Sequence, residues 1–186
     1  MRMTSAVLAV AAFAVGGLVG AYALLPERPG GGAASRPVWS EVAWPFAMDQ
    51  WGKGKAFQCR AADCGTEVNV YIRAKIGFCN CTTGVADDEE LDRISDYDLL
   101  GNKLAALGPG RPISIAWMKG RSRAFAIGGP HRPGVSALSV GFNDRCDAIV
   151  ATVVLGHDQP GVLESEVIAF LNSKTVLRWA EVTLGL

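Results

Sequence analysis

Hydrophobic and polar residues alternate over several short stretches of the chain, as they do in strands that bury one face. The clearest stretch is residues 67–73, where Val68, Val70 and Ile72 are separated by polar side chains. Turn-forming residues between successive stretches pair the strands into hairpins. The predicted strands cover residues 56–60, 67–73, 113–117, 124–127, 137–142 and 148–155, with turns at residues 61–63 and 119–120.

Two other stretches space their apolar residues as helices do. The first is residues 87–107, which Asp87 or Asp88 can cap and which Gly101 divides into two pieces. The second begins at Pro160, since proline is favoured in the first turn of a helix. Strands paired in hairpins together with separate helical stretches predict the α+β class: an antiparallel sheet with helices packed on one side.

The strands over residues 113–155 and the ending Phe170-Leu171-Asn172-Ser173 give the later part of the chain a distinctive layout. An early hairpin is followed by a helical excursion, a meander of strands and a terminal helix. This layout resembles the PsbP-like fold of exported or lumenal accessory proteins. The resemblance implies an accessory role beside a membrane complex, without chemistry of its own.

An uncharged apolar run over residues 6–25 follows Arg2 near the N-terminus. At a rise of about 1.5 Å per residue, a helix of this length covers the hydrocarbon core of a bilayer, which is roughly 30 Å thick. We therefore expect residues 1–25 to be a retained transmembrane anchor. A signal peptide cleaved near Ala21 and Ala23 is the alternative. The position of Arg2 predicts a single-pass inner-membrane protein whose C-terminal domain lies in the periplasm.

Gly16 and Gly20 have the GxxxG spacing that lets two membrane helices approach closely. They predict a packing face for a second membrane helix, the alternative being a small-residue segment with no partner. Residues 26–37 are rich in proline and glycine, which predicts a flexible tether. Residues 38–186 then form the exported domain, which is long enough to bury a core of its own.

Five cysteines lie downstream of the apolar run: Cys59, Cys64, Cys79, Cys81 and Cys146. An oxidising compartment favours disulfides, and we expect Cys59 and Cys64 to meet across a hairpin. Cys146 is the natural partner for Cys79 or Cys81, which leaves one thiol over. Zinc held by the first four cysteines, or copper held by the Cys79-Asn80-Cys81 segment, is the alternative; otherwise no cofactor is expected.

The net charge of the chain is zero, yet charge is unevenly distributed. Residues 82–110 carry seven acidic and two basic side chains, whereas residues 111–134 carry five basic and no acidic ones. One hypothesis is a docking surface for an acidic protein or for phospholipid headgroups. The alternative is that the acids cap a helix and the bases stay solvated. The candidate interaction residues are Trp117, Lys119, Arg121 and Arg123.

No constellation of catalytic residues is visible in the sequence. His131 lies in a glycine- and proline-rich loop and His157 precedes Asp158, and neither has a nucleophile beside it. Nucleic acid is not an expected partner, because the domain is exported and not basic overall. We therefore predict a non-enzymatic accessory or assembly subunit of an envelope or membrane complex. A thiol-redox or metal-handling protein that uses the CXC segment is the alternative function.

Overall fold

The computed structural model describes residues 37–100, 103–128, 135–156 and 160–186. The predicted anchor with Gly16 and Gly20, the tether up to residue 36, His131 and His157 lie outside these ranges. Among the described helices, none has both the length and the apolar character needed to cross a membrane.

The described strands form one antiparallel sheet. Across it the order is β1, β2, β3, β8, β7, β6, and both β4 and β5 pair with the outer edge of β6. The strands are β1 Trp39–Val42, β2 Lys55–Cys59, β3 Val68–Lys75, β4 Lys103–Ala106, β5 Arg111–Ile115, β6 Met118–Gly128, β7 Ser136–Asp144 and β8 Asp147–Leu155.

Four α-helices and one 3-10 helix accompany the sheet in the described ranges, which confirms the predicted α+β class. They are α1 Ala61–Cys64, α2 Asp88–Ile94, the 3-10 helix Tyr97–Leu100, α3 Pro160–Leu171 and α4 Lys174–Leu184. Asp87 caps α2, as predicted, by accepting a hydrogen bond from the Glu90 backbone N–H.

Helices cover both faces of the sheet, so the prediction that they lie on one side is wrong. On the α3–α4 face, those two helices pack over alternate residues of the central strands, such as Val70, Val140 and Val153. On the opposite α2 face, Leu91 and Ile94 of α2 pack with Val85, Ala148 and Val150. The physical reason is visible in β7 and β8, where consecutive residues are buried and most of them are apolar, as expected of strands covered on both faces.

Several predicted boundaries also change. Residues 103–106 are a strand rather than helix, and the hairpin turn is at Ala116–Trp117 rather than at residues 119–120. Lys119 and Gly120 pair with β7 instead, and a Cβ on Gly120 would overlap the backbone oxygen of Gly141. Strand β1 and helix α4 were not predicted.

The strand pairing aligns the ends of neighbouring strands, so two ends of the sheet can be defined by their residues. Trp39, where the described chain enters β1, aligns through Cys59 and Val68 with Leu155, and these residues define the Trp39 end. At the other end the β5–β6 turn lies beside the β7–β8 turn, and we name this the Trp117 end. The two ends are about 30 Å apart, the length of a nine-residue strand such as β7.

Candidate functional site

The cysteines form two disulfides, Cys59–Cys64 and Cys81–Cys146, which confirms the expected disulfide bonding. Cys59–Cys64 lies at the Trp39 end, where it joins β2 to α1. Cys81–Cys146 lies at the Trp117 end and connects the segment after β3 to the β7–β8 turn. The cysteine left over is Cys79.

The four cysteines considered as zinc ligands do not come together in the fold. Cys59 and Cys64 are separated from Cys79 and Cys81 by the length of β3, which at eight residues is about 25 Å. A single zinc ion needs all of its thiolates at about 2.3 Å. Within the described ranges, no three or more His, Cys, Asp and Glu side chains are grouped so that they could hold a metal ion.

The Cys79 thiol is buried against the β7–β8 turn. Only 6 % of the residue is exposed, its Sγ donates to the Arg145 carbonyl oxygen at 3.2 Å, and its N–H donates to the Cys146 oxygen at 3.1 Å. Burial raises the pKa of this thiol to about 11. Since the thiolate is the nucleophile and the metal ligand, Cys79 is held in its unreactive form at neutral pH.

The α2 face of the sheet carries a group of cations at alternate strand positions. Side chains two residues apart on a strand point to the same side, so the basic residues at odd positions of β3 and β6 share this face. The register confirms the alignment: Arg73 and Arg121 lie in one row with Val150 and Gly141 between them. We name this group the basic face, and it consists of Arg73, Lys75, Lys119, Arg121 and Arg123.

Arg73 and Lys75 are paired beneath the segment that connects β1 to β2. Arg73 binds Asp96 and also Asp49, with Nη1–Oδ2 at 2.6 Å for Asp49. Lys75 shares Asp96, with Nζ–Oδ1 at 2.7 Å, and its ammonium lies over the Trp51 ring, 4.4 Å from the centroid. The two carboxylates match the two cations, so the cluster is neutral and fixes the covering segment to the sheet.

Arg121 and Arg123 are paired with helix α2. Arg121 binds Asp88, and Arg123 Nη1 lies 2.7 Å from Asp92 Oδ2. A hydrogen bond from the Gly110 backbone N–H, followed by that from Arg121, holds the pKa of Asp88 below its usual value. The acidic block and the basic block of the sequence thus contact each other in the fold, and these two arginines are occupied internally.

The same arginines hold the loop that interrupts the outer edge of the sheet. Arg123 Nε donates to the Gly108 oxygen at 3.1 Å, and Arg121 Nη2 donates to the Gly110 oxygen at 2.9 Å. Because β4 and β5 pair with successive parts of β6, residues 107–110 form a bulge between them on one edge. The charged interface therefore also shapes the base of the β5–β6 hairpin.

Lys119 differs from the other members of the basic face. Its backbone lies between those of its cross-strand partners Ser114 and Asn143, and no hydrogen bond or ion pair joins its side chain to another described residue. It lines a cavity of about 420 Å³ at the Trp117 end. The other lining residues include Thr83, Val85 and Ser114.

Trp117 occupies the tip of the β5–β6 hairpin and is 52 % exposed. The tip is held from α3, because the Ala116 N–H donates to Asn172 Oδ1 at 2.7 Å while Asn172 Nδ2 donates to the Ile168 oxygen at 2.9 Å. Ala116 has a φ of 51°, the left-handed conformation that tight hairpin turns require. Trp117 is thus an exposed aromatic side chain on a fixed backbone.

Of the residues named from the sequence, the structure brings Trp117 and Lys119 together at one end and directs Arg121 and Arg123 towards α2. Sequence reasoning missed Asp96 and Asp49 as partners of a buried pair of cations. A signal was present in part, since bases at positions 119, 121 and 123 have strand spacing, and Asp88 and Asp92 have helix spacing. Together, the two spacings could have predicted that the acidic side of the helix faces the basic side of the strand.

Comparisons with protein-family models, with curated proteins and with solved structures find no match to this chain.

Proposed function

We propose that this chain is a membrane-anchored periplasmic accessory or assembly subunit that binds a protein of a larger envelope complex through the Trp117 end of its sheet. The observation that carries the proposal is the exposure of Trp117 on a turn fixed by Asn172. Tryptophan is enriched among the residues that dominate binding at protein interfaces. A backbone that is already ordered loses little entropy when a partner binds, which favours affinity.

The disulfides support a periplasmic location for the domain. Disulfides persist in oxidising surroundings such as the periplasm and are rare in the cytosol. Two of them are present here, one at each end of the sheet. In this proposal residues 6–25 anchor the chain in the inner membrane, and Gly16 and Gly20 contact a membrane helix of the same complex.

The charge distribution favours a protein partner over phospholipid headgroups. Of the four residues first considered for docking, Arg121 and Arg123 are paired with acids, which leaves Lys119 as the available cation. Attraction to an anionic membrane contributes about 1 kcal/mol per basic residue, so one lysine is a weak membrane anchor.

Photocrosslinking in cells tests this function. A photoreactive amino acid replaces Trp117 in the full chain, and the products are solubilised from membranes and identified by mass spectrometry. We expect one dominant envelope protein to be captured. The matched control places the same amino acid at Val182, which is 76 % exposed on α4. Absence of a product at position 117, or the same products at both positions, contradicts the proposal.

A further inference from the structure

We propose that the cavity beside Lys119 receives an acidic side chain, Asp or Glu, from the protein partner. This inference rests on the proposed function and specifies the chemistry of the contact. The cavity lies beside the hairpin that carries Trp117, where Ser114 and Lys119 line it near the tip, so one partner segment can reach both features.

The first argument is the pairing of the basic face. Arg73 and Lys75 use Asp49 and Asp96, and Arg121 and Arg123 use Asp88 and Asp92. Within the part of the chain that the structure describes, Lys119 has no such carboxylate. A carboxylate from outside the chain would complete at Lys119 the pairing that the other four cations obtain from α2, from the segment after it and from the β1–β2 segment.

The second argument is the chemistry of the cavity wall. At about 420 Å³ the cavity lies in the range of ordinary ligand pockets. Thr83 and Ser114, which line it beside Lys119, have hydroxyl groups that can donate hydrogen bonds to a carboxylate. Val85, Pro112 and Ile113 supply apolar surface for the methylene groups of an acidic side chain.

The third argument is that the wall is fixed before any partner arrives. Asn143 Oδ1 accepts the Val85 N–H at 3.0 Å, and the Cys81–Cys146 disulfide ties the start of the wall to the β7–β8 turn. Gly84, with a φ of 63°, lies so close to Asn143 that a Cβ would overlap its amide. The cavity therefore keeps its shape without the ordering cost of an induced fit.

The test uses the full chain in detergent micelles and two matched probes, N-acetylglutamate N-methylamide and its glutamine analogue. Backbone amide NMR shifts of Thr83, Ser114 and Gly120 are followed during titration. We expect saturable shifts with the glutamate probe in the millimolar range, roughly the affinity of a single small group. We also expect at least a tenfold weaker response to the glutamine probe, or to glutamate in Lys119→Gln. Lys53→Gln, an exposed lysine elsewhere, should respond as the unsubstituted chain does.

Three outcomes overturn the inference: no shift at about 100 mM glutamate probe, equal binding of both probes, or unchanged affinity in Lys119→Gln. None of these depends on the partner. Conversely, capture at position 117 does not require Lys119. Failure of the cavity proposal is therefore distinguishable from failure of the proposed function.

Discussion

Arg73 and Asp96 form a two-point ion pair in which both side chains are only 4 % exposed. Arg73 Nε lies 2.9 Å from Asp96 Oδ2, and Nη2 lies 2.5 Å from Oδ1. Asp96 also forms an ion pair with Lys75. One carboxylate thus neutralises two buried cations with the help of Asp49. The pair joins the segment after α2 to the centre of the sheet.

Replacing Asp96 with Asn should destabilise the fold strongly. The change leaves Arg73 and Lys75 buried with Asp49 alone, and breaking a buried ion pair from one side costs about 3–5 kcal/mol. Denaturant unfolding measured by circular dichroism gives the free energy of unfolding. Asp98→Asn, two residues away and exposed, should change it little. A loss at position 96 no larger than at position 98 would show that the pair is not important for stability.

Acid should destabilise the domain through carboxylates with lowered pKa. The pKa of Asp88 is lowered by the Gly110 N–H and Arg121, and that of Asp49 is lowered by its hydrogen bond with Arg73. An aspartate whose pKa is lower in the folded state than in the unfolded state stabilises the fold above the unfolded value, about 3.9. This contribution is lost as the pH falls from about 4 through the folded pKa.

The measurement is the urea midpoint between about pH 2 and pH 7. We expect the urea midpoint to be constant near neutrality and to fall below about pH 4. In Asp88→Asn the plateau should be lower and the fall shallower, because one contributing carboxylate is gone. Asp63→Asn, at the opposite end of the sheet, serves as the control. An unchanged slope in Asp88→Asn would contradict the role given to this residue.

Cys79 should resist alkylation in the folded protein. With a pKa of about 11, roughly one thiol in a thousand is ionised at pH 8, compared with about a quarter at the ordinary pKa of 8.5. Iodoacetamide should therefore react at least about a hundredfold more slowly in buffer than in guanidinium chloride. Mass spectrometry should count one added group after unfolding and five after unfolding with reduction. Fast labelling of the folded chain would instead favour the thiol-redox function.

The two disulfides should contribute unequally to stability. In the chain-entropy model, closing a loop with a sequence separation of 65 contributes about 4 kcal/mol, whereas a separation of 5 contributes about 2 kcal/mol. The double variant Cys81→Ala/Cys146→Ala should thus lose more unfolding free energy than Cys59→Ala/Cys64→Ala. Paired substitution avoids leaving a reactive thiol in either variant. The reverse order of the two losses would contradict the prediction.

The strands that the sequence predicts well are those whose own residues decide their conformation. The alternation around Val70 locates β3, and the apolar runs locate β7 and β8. Residues 103–106 were misassigned because Leu104 and Leu107 have helical spacing, while the pairing that makes them a strand comes from Ile127 and its neighbours on β6. Such pairing joins distant residues and leaves no local pattern.

In the candidate site, too, the sequence predicts what local residues decide and misses what distant contacts decide. Spacing was sufficient to suggest the Cys59–Cys64 pairing and to assign Cys146 to the second bridge. The expected contact across a hairpin was wrong, because Cys64 lies in α1 and the residue opposite Cys59 is Val68. Spacing was not sufficient to choose between Cys79 and Cys81, because both sulfurs lie at the β7–β8 turn, Cys81 bonded to Cys146 and Cys79 against the Arg145 oxygen. Nor could it show that Arg121 and Arg123 face α2, since that depends on how the helix lies across the sheet.

The bulge at residues 107–110 has a consequence for how copies of the chain behave when crowded. An open sheet edge offers backbone donors and acceptors to any neighbouring strand and so promotes aggregation. Here the outer edge is cut into pieces of four and five residues, and guanidinium groups already occupy the Gly108 and Gly110 carbonyls. At this edge, neighbouring copies of the chain therefore find no long continuous strand on which to join edge to edge into fibres.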